Sequence, residues 1–247
     1  RVRPGFNTNE QGITVYYGNV HHLMFDHCSV SWGPDDVLDT LVDPDKDHYI
    51  DVQKCIISEA LFAGGWEVGS AGAMLAAGDA TRFISLTGSL LAHAVRRMPW
   101  WKAAVIGNIS NNFMYNSSES YIVVSNDQGG GPFFAIVEGN YVKQGPTADR
   151  VIGAVMSGTG AAGSELFLND NTKVASAFGL TDFELTAGYD PRVGSRPASA
   201  VIPSYTAYDS SLVPGAIVAN AGARPLDRDS VDTRVVNDAI NGTGGVI

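Results

Sequence analysis

The chain has 247 residues, 45% hydrophobic, 17% charged and 9% aromatic, the profile of one large globular domain and not of a disordered chain. Lys and Arg number 16 against 26 Asp and Glu, a formal net charge of −10, and no basic run is available to follow a phosphate backbone, so nucleic acid is excluded as an expected partner. No apolar stretch approaches the roughly 20 residues of a membrane span, and 28 glycines exceed what a helix-rich domain tolerates, since each costs about 1 kcal/mol in a helix interior.

Two cysteines, Cys28 and Cys55, are too few for a disulfide scaffold. The start, Arg1-Val2-Arg3-Pro4-Gly5, lacks Met and an apolar leader, so the chain is expected to begin after processing or partway through a longer protein.

Taken in order, runs rich in β-branched and aromatic residues read as strands over 13–17, 22–30, 49–57, 82–91, 103–115, 121–124, 133–142 and 165–168. Several share a small or amide residue followed by apolar ones: Cys28-Ser29-Val30, Cys55-Ile56-Ile57, Gly88-Ser89-Leu90, Asn112-Phe113-Met114 and Asn140-Tyr141-Val142. Their starts lie 27, 33, 24 and 28 residues apart, which suggests one unit repeated with insertions in its turns. A unit of about 25–30 residues with short strands and no regular helix suits a coil of a parallel β-helix. On spacing alone an antiparallel sandwich fits equally well; the absence of Asn-Gly and Asp-Gly hairpin turns between the early strands favours the solenoid. The body is expected over 1–170. Residues 171–247, bearing Pro191, Pro197 and Pro203, read as an extended tail packing on it, and Val231, Val235, Val236 and Ile240 set a short helix over 230–240, ended by Asn241-Gly242.

The segment His22-Leu23-Met24-Phe25-Asp26-His27-Cys28-Ser29-Val30-Ser31-Trp32 resembles a strand of the pectate lyase family, polysaccharide lyase family one of bacterial type. Further motifs follow in that family's order: Cys55-Ile56-Ile57-Ser58-Glu59-Ala60-Leu61, Arg97-Met98-Pro99, Asn111-Asn112-Phe113-Met114-Tyr115-Asn116, and near the end Ala221-Gly222-Ala223-Arg224-Pro225 with Arg228-Asp229-Ser230-Val231-Asp232-Thr233-Arg234. The resemblance implies an all-β fold, a right-handed single-stranded parallel β-helix with an extended C-terminal tail and a short terminal helix. It implies β-elimination on uronate polysaccharide, calcium bridging enzyme and substrate carboxylates, and a secreted protein. It also implies that the family's N-terminal coils are missing here. The open end of the solenoid is then expected to be covered by a preceding segment or another chain.

Eliminating a 4-linked uronate needs a base for the C5 proton, a cation to neutralise the adjacent carboxylate, and groups that hold the sugar chain. The resemblance assigns the base to Arg97 and a substrate-carboxylate contact to Lys102, with Arg96 and Trp100 beside them. It assigns calcium to Asp35 and Asp39, with Asp36 able to contribute, and puts two more ligands near Asn9 and Gln11, amides where the family has carboxylates; calcium takes six to eight oxygens. Asp43, Asp45 and Asp47 read as a solvated turn, with a second cation site as the alternative. Asp26 and His27 read as a structural hydrogen-bonded pair. Trp32, Trp66, Trp100 and Trp101 offer sugar-stacking faces, although core or rim packing is expected of at least two. Two departures count against full activity: no Lys lies between Ser58 and Leu75, and Leu86-Thr87-Gly88 stands where the family often has His-His-Asn. The alternative function is a non-catalytic β-helix module, glycan-binding or structural and adhesive, such as part of a tail fibre.

Overall fold

The long β-rich runs are each two short strands hinged on one residue with positive φ. The computed structural model describes residues 1–5, 11–16, 20–41, 48–61, 72–77, 82–102, 104–127, 131–150, 152–198 and 205–247. Its hinges are His27 (φ 51°), Lys54 (51°), Gly88 (57°), Asn111 (53°), Gly139 (64°) and Asp170 (47°). Left-handed backbone is strained for residues with a Cβ, so the corners at His27, Lys54, Asn111 and Asp170 depend on the contacts around them, whereas Gly88 and Gly139 adopt it freely.

Among the described residues the strands run three to a coil, in chain order: β1 (Ile13–Tyr16), β2 (Leu23–Asp26), β3 (Ser29–Ser31); β4 (Asp36–Leu41), β5 (His48–Gln53), β6 (Ile56–Ser58); β7 (Gly72–Ala77), β8 (Arg82–Thr87), β9 (Leu90–Ala94); β10 (Trp100–Lys102), β11 (Val105–Ser110), β12 (Phe113–Ser117). Then follow β13 (Ile122–Ser125), β14 (Phe134–Glu138), β15 (Tyr141–Lys143); β16 (Ile152–Ser157), β17 (Glu165–Asn169), β18 (Thr172–Val174); and β19 (Leu180–Leu185) with β20 (Arg192–Val193). Equivalent strands pair in parallel into a first sheet β1-β4-β7-β10-β13-β16-β19, a second sheet β2-β5-β8-β11-β14-β17-β20 and a third sheet β3-β6-β9-β12-β15-β18. The fold is an all-β parallel β-helix.

The residue after each hinge forms a ladder along one corner of the solenoid. The backbone N–H of Cys28 donates to Cys55 Sγ (3.4 Å), Cys55 N–H to Ser89 Oγ (2.9 Å), Ser89 N–H to Asn112 Oδ1 (2.9 Å), Asn112 N–H to Asn140 Oδ1 (3.0 Å) and Asn140 N–H to Asn171 Oδ1 (3.3 Å). In return Nδ2 of Asn112, Asn140 and Asn171 donates to the carbonyls of Leu86, Ile109 and Val137 (2.8, 2.8 and 2.9 Å). These side chains satisfy main-chain groups that the corner would otherwise leave unpaired. The recurring small-or-amide pattern of the sequence is this ladder. Its third rung is Ser89 and not Gly88, because Gly88 is the hinge.

The interior is filled by stacked apolar side chains, among them Leu38, Met74, Ile84, Trp101, Ile109, Tyr121 and Phe133, all fully buried. Each such aliphatic side chain contributes roughly 1.5–3 kcal/mol. The boundary expected after residue 170 is corrected: β18, β19 and β20 pair within the three sheets, so the coils run on to Val193. Asn171 is itself a rung, and the polar, Ser-bearing texture beyond it conceals short strands.

Among the described residues the tail carries two α-helices, where one was expected. α1 (Val213–Asn220) has a proline in its first turn, where a missing N–H costs nothing; it lacks an amphipathic period, which is why it is not legible in the sequence. α2 (Ser230–Asn241) starts on Asp229, whose carboxylate accepts from the Asp232 N–H, and ends on Gly242 in the left-handed region (φ 78°). Val213, Ile217, Val235 and Val236 cover Ile56, Leu90, Phe113 and Tyr115 on the outer face of the third sheet. Polar contacts fix this docking. Buried Asp232 accepts from Ser29 Oγ (2.7 Å) and pairs with Arg3 (2.8 Å) and Arg1 (3.2 Å), while Arg234 forks onto buried Glu59 (2.8 and 2.9 Å).

Candidate active site

Asp36, Asp39 and Lys102 lie on strands of the first sheet, and Asp35, Arg96 and Arg97 on the turns that lead into it. β4 begins with Asp36, and its outward Asp39 lies in one register row with Thr14, Leu75 and Trp100. Two strands along, the chain turns at Arg97, itself left-handed (φ 60°) and only 8% exposed, and enters β10 with Trp100 and Lys102 on one face and Trp101 in the core. A positive φ on an arginine is a strain of order 1–3 kcal/mol that surrounding structure must hold, and such strain clusters at functional sites. Here Arg97 N–H donates to Ser120 Oγ (3.3 Å) and its carbonyl accepts from Met74 N–H (2.9 Å).

Arg97 Nη1 donates to Asp36 Oδ2 at 2.5 Å and lies 4.0 Å from Asp35 Oδ1. Gly72, on the strand between, leaves the space for this pair. Gln11 turns its Nε2 towards Asp35 Oδ2 (3.5 Å), and its Oε1 accepts from Thr14 Oγ1 (3.0 Å), so the amide oxygen faces away from the acids. The Trp100 ring carries two cations against it, with Arg97 Cζ 5.4 Å and Lys102 Nζ 4.0 Å from its centroid, and its Nε1 donates to Ser125 Oγ (2.8 Å). Arg96 instead faces Glu119 at 3.9 Å.

Burial pushes the Asp36 carboxyl up to about 6 against the pull of Arg97. Burial, reinforced by the charges of Asp36 and Asp35, pushes Asp39 up to about 9. The cluster is therefore short of positive charge: one arginine faces three carboxyls, and Asp35 Oδ1, Asp36 Oδ1 and Asp39 Oδ1 are all buried without a hydrogen-bond donor. A proton or a cation must supply the difference. The donors are all oxygen, the set that suits a hard divalent ion. Among the described residues no three acidic, His or Cys side chains are grouped so as to hold a metal as they stand. Asn9, together with Asp43, Asp45, Asp47 and Trp66, lies outside the described residues.

No family model matches the chain, and no curated protein matches it either.

The remaining candidates fall elsewhere. Asp26 and His27 pair at 2.7 Å on the corner between the second and third sheets, a different corner from Arg97. Trp101 is fully buried, and Trp32 donates from Nε1 to Glu59 (3.0 Å) beneath α2. An apolar depression on the outer face of the second sheet is lined by a stack of His22, Tyr49 and Phe83, far in kind from the Arg97–aspartate cluster. Sequence reading missed Gly72 and Ser125. Neither carries a chemical signal by itself; only the registers β4–β7–β10 and β10–β13 reveal what they do.

Proposed function

We propose that the chain is a polysaccharide lyase that cleaves uronate-containing, pectate-like polysaccharide by calcium-assisted β-elimination. The observation that carries this reading is the juxtaposition, on the first sheet, of a charge-deficient acidic cluster in which Asp36 and Asp39 are buried against Arg97 and Asp35 lies beside them, with the partly exposed Trp100 and Lys102 next to it. The three aspartates are the groups that would hold calcium, with Gln11 joining them only once its amide turns its oxygen from Thr14 towards Asp35, and with Asn9 as the resemblance implies; calcium when bound would supply the positive charge that neutralises a substrate carboxylate and acidifies its C5 proton. Arg97 and Lys102 supply a local positive rim, with Arg96 at its edge. That rim matters because the whole chain, at −10, repels an anionic polymer, so attraction must be local. Trp100 packs against the sugar ring.

This reading makes the acidic polysaccharide the partner and places the protein outside the cell. Among the described residues no helix is long and apolar enough to cross a membrane. Polygalacturonate incubated with the protein and calcium should gain the ultraviolet absorbance of an unsaturated uronate, and chelator or Arg97→Ala should abolish the gain. Absence of product from pectate, alginate and related polymers overturns the proposal.

A second reading, a non-catalytic glycan-binding or structural β-helix module such as a tail-fibre part, draws on the closed Arg97–Asp36 pair and on Gln11 turning its N–H group to Asp35. Glycan binding that persists unchanged in Arg97→Ala, without turnover in either protein, selects it.

A further inference from the structure

We infer that Cys28 and Cys55 are a thiol pair that closes into a disulfide between the first and second coils on reaction with a low-molecular-weight disulfide such as oxidised glutathione. The inference is independent of the lyase reading. These are the two cysteines of the chain, both free thiols, and they stand 27 residues apart as the first two rungs of the corner ladder.

Coil stacking sets one directly over the other. β3 and β6 pair in parallel with Ser29 opposite Ile56, and Ile56 N–H donates to the Cys28 carbonyl (2.8 Å), so Cys28 and Cys55 are the row immediately before that register. Neighbouring strands lie about 4.7–4.9 Å apart, inside the span of roughly 4.4–6.8 Å over which a disulfide bridges two Cα atoms. The sulfurs converge as well. Cys55 Sγ accepts from the Cys28 N–H (3.4 Å) and lies 3.3 Å from the Phe25 carbonyl, while Cys28 Sγ lies 3.7 Å from the carbonyl of Asp26, the next residue on β2.

The two thiols differ in access. Cys55 is 1% exposed, whereas Cys28 is only partly buried and can be reached from solvent. The buried Cys55 thiol interacts with that of Cys28 and makes Cys28 the more acidic of the two. The thiolate is the attacking species in exchange, so Cys28 is the nucleophile and Cys55 the resolving thiol.

The exchange balances. The Cys28 thiolate attacks one sulfur of oxidised glutathione, a mixed disulfide forms, and one glutathione thiolate leaves. Cys55 then loses its proton, its sulfur attacks Cys28 Sγ, the mixed S–S bond breaks, and the second glutathione thiolate leaves. The two departing thiolates take up the protons that the cysteines gave up; the chain is oxidised by two electrons and one oxidised glutathione is reduced to two thiols. The new bond staples the first coil, whose strands β1 and β2 pair on one side only among the described residues, to the second.

The test equilibrates the whole native chain, fully reduced and freed of reductant, with oxidised glutathione. The intact mass should fall by two hydrogens, no thiol should titrate after denaturation, and a digest should hold Cys28 and Cys55 in one cross-linked pair of peptides. Tm should rise by about 5–10 °C over the reduced chain, and dithiothreitol should reverse the change. Cys55→Ser should stop with one glutathione on Cys28. A wild-type chain that keeps both thiols, retains bound glutathione or cross-links only between copies overturns the inference, and so does a disulfide that leaves Tm unchanged or lowers it. The wild-type mass and digest decide the matter even if Cys55→Ser does not fold.

Discussion

Asp36 and Arg97 meet at 2.5 Å across the strand that separates them, and the room for the meeting is the missing side chain of Gly72. A Cβ on Gly72 would overlap Asp36 Oδ1 and approach Arg97 Cδ to 2.7 Å. The pair therefore depends on a residue with no chemistry of its own. Gly72→Ala should destabilise the chain by about 1–3 kcal/mol through overpacking. It should also reduce lyase product more than its stability loss explains. Denaturant unfolding and the product assay on the same preparation check this.

Stability should depend on pH and calcium together. The folded-state pKa of Asp39, about 9, lies above its unfolded value of about 4. The folded state thus binds the proton more tightly, and the stability this contributes is full below pH ~4 and lost as pH rises towards ~9. Chelated protein should accordingly show a falling Tm across that window. Added calcium should raise Tm most at its alkaline end, by about 2.7 kcal/mol of stability when calcium is at 100-fold its Kd. A chelated protein whose Tm is flat from mildly acid to alkaline pH contradicts the charge deficit.

The corner ladder should be the costliest polar feature to break. Asn140 bonds in both directions, accepting from Asn112 N–H and donating to Ile109 carbonyl and Asn171. Asn140→Ala leaves two buried main-chain groups unpaired, each at about 1–3 kcal/mol, and should lower stability by several kcal/mol. Cys55→Ser, which keeps a side-chain acceptor for Cys28 N–H, should cost far less. Paired thermal melts of the two variants test the ranking.

Docking of α2 should weaken in acid through His93. This fully buried ring has Nδ1 3.0 Å from Asn116 Nδ2 and Nε2 3.5 Å from Asp238 on α2, and burial holds its pKa below the ordinary 6.5 against the opposing pull of Asp238 and Glu59. Because the folded value is depressed, its contribution is present above pH ~6.5 and is lost as pH falls through the folded value. Protection factors of the α2 amides, taken against the intrinsic exchange rate at each pH, should fall on that descent in the wild type and stay constant in His93→Gln.

What the sequence discloses and what it conceals divide along physical lines. The ladder residues are legible because their chemistry repeats: a small or amide side chain, then apolar residues, once per coil. The corner between two strands is hidden, since His27, Lys54 and Asn111 adopt left-handed backbone without the glycine that would announce it, and so the runs read as single strands. The strands that carry the candidate site are the least legible of all. β4 is half acidic and polar, β7 is Gly- and Ala-rich and β10 is three residues long; none shows alternation strong enough to be read. Arg97, Asp35, Asp36, Asp39 and Lys102 are found in the sequence only through their motif neighbours, and their convergence is a product of coil stacking, which local sequence does not encode.

Successive rungs of the ladder are separated by 27, 34, 23, 28 and 31 residues, yet they stay hydrogen-bonded one above the next. Length is therefore a free variable of this scaffold. Insertions of up to eleven residues between one rung and the next are absorbed within their own coil and shift nothing above or below it. The turns around the Trp100 face can in this way be lengthened, shortened or exchanged one coil at a time without disturbing the column of rungs.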